Sequence, residues 1–94
     1  MSVSDSDENY PYPCFAYVLA SSDASRTYVG WTTDLDARLA AHNEGRGAKS
    51  TRGRQWCIIY SEKFRNKSDA MSREWHLKRD RAFRKKLLAE LGQG

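Results

Sequence analysis

Five side chains in this sequence have the types and spacing for acid–base and anion chemistry: Tyr17, Tyr28, Arg38, His42 and Glu74. Glu74 is the most telling. If residues 68 to 78 are helical, counting about 100° per residue from Ala70 puts Leu77 at about 340°, Glu74 at about 40°, Met71 at about 100° and Trp75 at about 140°. The carboxylate then sits inside the helix's apolar arc. An inward carboxylate without a partner costs several kcal/mol, so it is paired, protonated or bound to a metal. A second oddity lies upstream. On a helix counted from Leu35, Leu39 falls at about 40°, His42 at about 340° and Arg38 at about 300°, so Arg38 and His42 border the apolar stripe one turn apart. Each of these residues alone has an ordinary structural explanation: an ion-paired Glu, a tyrosine ring in the core, a histidine bonded to a backbone carbonyl. A small core gains no stability from gathering all of them, because each adds a desolvation cost.

The elements that must position these residues are punctuated clearly. CFAYVLA is a run of strand formers, SSDAS a turn cluster, and RTYVGWT alternates Tyr28 and Gly30 against Val29 and Trp31, so residues 14 to 32 read as a β-hairpin. That hairpin brings Tyr17 and Tyr28 onto neighbouring strands. Thr33 or Asp34 caps a helix through DLDARLAAHNE, which stops at Gly45. QWCIIYSEKF is a third strand. Ser68 or Asp69 caps the Glu74 helix, and Asp80 caps a last helix, RAFRKKLLAEL, in which Phe83, Leu87, Leu88 and Leu91 face the sheet while Arg81, Arg84, Lys85 and Lys86 stay in water. The order ββαβαα makes the fold class α+β. Trp31, Trp56 and Trp75 each fall where core packing explains them.

Length and charge limit the remaining possibilities. Ninety-four residues form one domain, large enough to fold without disulfide or metal staples. Cys14 and Cys57 lie in apolar surroundings with no Cys-x-x-Cys or nearby His, which reads as two reduced core thiols. There is no run of about 18 apolar residues and no basic-then-apolar leader, so no membrane partner is expected and a cytoplasmic location is. Residues 1 to 12 are polar and acidic and read as a disordered arm, with a single domain from 13 to 91. Net charge is +4, but residues 1 to 45 hold two Lys or Arg against seven Asp or Glu, while residues 46 to 94 hold fourteen against five. A half that basic suits a polyanion or, more blandly, a solvated surface. The loop GRGAKSTRGR concentrates Arg46, Lys49, Arg52 and Arg54 among glycines. It is not a nucleotide-binding P-loop, because Ala48 interrupts the required Gly-Lys-Ser/Thr and a helix precedes it, but its amides and cations could hold a phosphodiester.

Phe15-Ala16-Tyr17, then Tyr28-Val29-Gly30, then Arg38 and His42 on one helix and Glu74 on a later one, resembles the GIY-YIG nuclease superfamily. The resemblance spans residues 14 to 88. It extends to the GRGAKSTRGR loop, which is similar to that of small stand-alone bacterial members, and to the excision-repair and structure-specific endonuclease domains more broadly. The first tripeptide departs from the pattern, with Phe15-Ala16 in place of Gly-Ile; its tyrosine is kept. The resemblance implies a three-stranded antiparallel sheet flanked by helices and metal-dependent cleavage of DNA. On that analogy Glu74 would ligate Mg²⁺ or Mn²⁺, Arg38 would meet the charge building on the scissile phosphate, and either Tyr28 or His42 would take the proton of the attacking water, with Tyr17 orienting it. A free tyrosine titrates near pH 10, so base work by Tyr28 needs a stabilised phenolate. Gly30 would let the backbone approach the site, and Lys49, Thr51, Arg52, Arg54 and Lys78 would contact DNA. So small a chain offers little surface for reading base sequence, so single-stranded or branched DNA, or a partner protein, would supply specificity. The alternative is a catalytically silent nucleic-acid-binding module.

Overall fold

In a computed structural model describing residues 12–93, the central strand β1, Cys14–Ser21, pairs antiparallel with β2, Thr27–Thr32, on one side and with β3, Trp56–Phe64, on the other. Three helices follow the expected order: α1, Leu35–Asn43, between β2 and β3, then α2, Lys67–Arg79, and α3, Arg81–Gln93. The fold is therefore the α+β arrangement ββαβαα with a three-stranded antiparallel sheet. The acidic arm falls almost wholly outside the described residues.

Both faces of the sheet are covered, which is why β1 is buried along nearly its whole length. Alternate residues of a strand point to opposite faces. Ala16 and Val18 join Val29, Leu77, Ile59, Tyr60, Phe64, Phe83 and Leu87 beneath α2 and α3. Tyr17 and Leu19 join Trp56, Tyr28, Leu35, Leu39 and Ile58 beneath α1. A register shift between Val18 and Leu19 pairs Val18 with Tyr60 but Leu19 with Ile58. The extra residue, Ile59, then faces the α2/α3 core beside Tyr60, as a β-bulge allows.

Local hydrogen bonds set the helix ends. The Asp34 carboxylate accepts from the Ala37 amide at 3.0 Å, and Gly45, at φ +82°, turns the chain away after α1. At α2 the cap is Asn66, not Ser68 or Asp69. Asn66 has extended backbone, and its side-chain oxygen accepts from the Asp69 amide at 2.8 Å, so the helix begins earlier than either expected cap would start it. Asp80 ends α2 and starts α3 by accepting from the Phe83 amide at 3.0 Å.

Four packing expectations are corrected. Cys57 is exposed on the edge strand β3, whereas Cys14 is buried. Leu91 is exposed, beyond the part of α3 that meets the sheet. Arg84 does not simply stay in water: it donates to the Leu77 and Lys78 carbonyls, both at 2.6 Å, and to Thr27 Oγ1 at 3.2 Å. The last carbonyls of α2 lack intrahelical donors, and this guanidinium supplies them. Trp75, finally, lies on the surface, with its ring under the Arg79 guanidinium at 3.8 Å.

Candidate active site

Tyr17 lies in the middle of β1 opposite Gly30 of β2. Gly30 is small for a steric reason: a Cβ there would stand 2.6 Å from the Tyr17 hydroxyl and 2.8 Å from its Cζ. The glycine makes room for the tyrosine to lie across β2, and Tyr28 flanks the same space, its ring centroid 6.4 Å from that of Tyr17. From α1, packed on this face, His42 meets the Tyr17 hydroxyl at 3.0 Å through Nε2, and the Arg38 charge acts on the same hydroxyl.

The hydrogen-bond network assigns the histidine tautomer. Thr51 Oγ1 donates its only hydrogen to the Ala48 carbonyl at 2.8 Å, so it must accept from His42 Nδ1–H, which is 2.8 Å away. Nε2 is then bare and accepts from the Tyr17 O–H. A buried chain runs from Tyr17 through His42 and Thr51 to Ala48. Burial pushes the His42 imidazole below its ordinary range and the Arg38 charge adds to that, so the ring is held neutral. Burial also pushes the Tyr17 phenol up to about 12, opposed by the Arg38 guanidinium and reinforced by the charges of Tyr28 and Glu74.

The GRGAKSTRGR loop brackets this chain from below. Lys49–Thr51 forms one 3₁₀ turn that returns Thr51 under His42, and the Trp56 indole donates to the Thr51 carbonyl at 2.9 Å. Asn43 closes the loop at the end of α1, accepting from the Trp56 amide at 2.6 Å and donating to its carbonyl at 3.1 Å. Thr51, expected at a phosphate, is instead fully buried. Its hydroxyl is already used twice, so it positions His42 and presents nothing to a polyanion. Gly47 is a site residue that sequence reasoning missed, since a Cβ there would collide with His42 Nδ1. Its signal was visible only as one glycine among three in a basic loop.

Glu74 acts on the cluster from α2 through its charge. The buried seam of that helix is Ala70 and Leu77, and Glu74 borders it with a side chain 18% exposed, while Met71 and Trp75 are 44% and 53% exposed. Glu74 is therefore at the edge of the buried arc, not in its middle. Lys78, one turn on, pairs with it at 3.2 Å. Of the expected DNA contacts, Lys49 and Arg52 are exposed, and Arg54 pairs with Asp23 in the hairpin turn at 3.7 Å. The Ser21 and Ser25 hydroxyls hold Asp23 down to about 2. Among the described residues no three His, Cys, Asp or Glu side chains gather as a cation cage, and no helix is long and apolar enough to cross a membrane.

A model of the GIY-YIG catalytic domain matches residues 13–87. The chain belongs to the GIY-YIG family. GIY-YIG domains are nuclease domains, and this one has relatives of similar size. A UPF0213 protein of Clostridium perfringens is 47% identical over 66 residues, 69% of this chain and 70% of its own length. Another, from Natronomonas pharaonis, is 41% identical over 78 residues, 81% of this chain and 91% of its own. The solution structure of a UPF0213 protein from Bacillus halodurans is similar at 35% identity, covering 84% of each chain with a TM-score of 0.47.

Proposed function

We propose that this GIY-YIG domain is a divalent-metal-dependent endonuclease that hydrolyses phosphodiester bonds of single-stranded or branched DNA. The observation that carries the reading is the environment of the Tyr17 hydroxyl, which donates to His42 at 3.0 Å and feels the charges of Arg38 and Glu74. A cation, a carboxylate and a neutral imidazole around one phenol form an apparatus for moving a proton beside a phosphate.

The donor set fits a hard cation. Glu74 offers a single carboxylate, largely withdrawn from solvent and already compensated by Lys78. Mg²⁺ and Mn²⁺ suit such a site because they keep several waters and take their other ligands from substrate phosphate. Glu74 would hold the ion, which when bound supplies Lewis-acid stabilisation of the phosphoryl oxygens. Arg38 would meet the charge that builds on the phosphate. His42 is fully buried and its Nε2 is engaged by Tyr17, so it does not meet a water itself. Tyr28, half-buried on the adjacent strand, would take the proton of the attacking water as its phenolate, its own proton having first passed to solvent, and the Tyr17–His42–Thr51 chain fixes the geometry around it. Lys49 and Arg52, both exposed, would anchor flanking phosphates. Specificity then rests on the shape of the substrate or on a partner protein.

Glu74→Gln tests the reading on end-labelled single-stranded, duplex, flap and branched DNA, in Mg²⁺, Mn²⁺ or EDTA. Cleavage by the native protein should require metal and should fall at least about 100-fold in the variant, while affinity for DNA is kept. Equal cleavage by both proteins removes Glu74 from the mechanism. Binding without cleavage on every substrate makes the domain a silent binding module.

A further inference from the structure

Trp75 is 53% exposed and Met71, one turn before it, 44%. Counting about 100° per residue around α2, Met71, Trp75 and Lys78 form one outward stripe lying on the Glu74 flank of the buried Ala70–Leu77 seam, with Arg79 just beyond. On the opposite flank Arg73 ties to Glu62 at 2.9 Å. The stripe therefore lies on the side of α2 that carries Glu74. Neither of the other tryptophans resembles Trp75. Trp56 is buried with its indole N–H bonded to Thr51, and Trp31 is half-buried in β2.

The Trp75 ring is also held in place. The Arg79 guanidinium lies 3.8 Å from its centroid and donates to the Trp75 carbonyl at 3.4 Å, while the His76 ring meets it edge-on with centroids 5.0 Å apart. A large aromatic surface fixed by a cation, one residue from the carboxylate of the site, is arranged as a stacking platform. Its neighbours decide the kind of partner. Lys78 and Arg79 lie beside the ring, in the half of the chain that holds fourteen Lys or Arg against five Asp or Glu. An apolar protein surface would have to desolvate those cations. A strand of unpaired nucleotides presents a flat base to the ring and phosphates to the cations on either side.

We propose that Trp75 stacks an unpaired base of a single-stranded nucleic acid next to the scissile phosphate, so that the Glu74 helix itself selects single-stranded over duplex substrate. The inference rests on the nuclease reading and adds to it the determinant of substrate class.

The experiment is fluorescence anisotropy of a labelled oligothymidylate and of a blunt duplex of equal length, in EDTA, with the full chain and its Trp75→Ala, Trp75→Leu and Trp75→Phe variants. Trp75→Ala should weaken oligothymidylate binding by about 5- to 150-fold and leave duplex binding within about twofold. Trp75→Phe should restore most of the loss, and Trp75→Leu, apolar but without a π face, should not. Full rescue by leucine, an equal loss on both substrates, or no loss at all overturns the proposal, the last giving the stripe to a protein partner. Failure of the nuclease reading alone looks different: the native protein then binds oligothymidylate with the same dependence on Trp75 and cuts no substrate in Mg²⁺ or Mn²⁺, whereas a native protein that binds neither oligonucleotide overturns both.

Discussion

Replacing Thr51 by valine separates two roles that the loop sequence allows. The substitution keeps the shape of the side chain and removes a hydroxyl that accepts from His42 Nδ1–H at 2.8 Å and donates to the Ala48 carbonyl at 2.8 Å. Thr51 and His42 are both fully buried, so no solvent stands ready to replace the lost partner. An unsatisfied buried donor costs about 1–3 kcal/mol. In a domain of this size each kcal/mol lowers the melting temperature by about 4–8 °C. The effect continues past stability. Without an acceptor at Nδ1 the imidazole is free to move its hydrogen to Nε2, which would reverse the bond to Tyr17. Cleavage should therefore fall along with the melting temperature. DNA affinity should keep its salt dependence, because a buried hydroxyl releases no counterions. Thr51→Ser, which retains the hydroxyl and loses one methyl group worth about 0.8 kcal/mol of burial, should recover most of the activity. The assays are calorimetric melting, single-turnover cleavage and binding at a series of salt concentrations. Unchanged melting and cleavage in Thr51→Val, or a flatter salt slope, would refute the buried-chain argument and return Thr51 to the phosphate.

Two further outcomes follow from the same geometry. Gly47→Ala puts a Cβ into the His42 ring and should cost about 1–3 kcal/mol by overpacking with a marked loss of cleavage, whereas Gly45→Ala, whose Cβ meets nothing within 4 Å, should act only through its left-handed backbone and spare cleavage; equal cleavage losses in the two variants would contradict this. His42, faced by Tyr17, Tyr28 and Arg38, binds a proton less readily folded than unfolded, so its contribution is present above about pH 6.5 and is lost as pH falls below it. Thermal melts from pH 8 to pH 5 should show that decline in the native protein and a flatter profile in His42→Asn; parallel profiles would show that the decline belongs to other groups.

Much of this protein was legible before its structure. The hairpin was readable because strand formers flank a turn cluster, and the bounds of α1 were readable because Asp34 and Gly45 act through local backbone bonds. The placement of Tyr17 and Tyr28 on paired strands followed directly. The start of α2 was less legible, since Asn66, Ser68 and Asp69 are all able caps and only the extended backbone at Asn66 chooses among them. The face of α2 was read too wide: Ala70, Leu77 and Glu74 turn inward, but Met71 and Trp75 do not. A helical wheel gives the width of an apolar arc, but contact with β1 and β2 decides which part is covered, and here it stops short of Met71 and Trp75.

By itself the sequence determined the elements and their order, because caps, turns and strand alternation are settled by neighbours within a few residues. It also fixed the chemistry available, two tyrosines, an arginine, a histidine and a glutamate, together with the separation of charge along the chain. Only the tertiary structure decided what those groups do to one another. Thr51 is nine residues from His42 and becomes its partner only when the loop folds back beneath α1. Gly47 matters because of a ring that the loop wraps, and Arg84 because carbonyls of the preceding helix end beside it. These roles depend on distances between segments remote in sequence, which packing of helices on both faces of the sheet sets and local propensity does not.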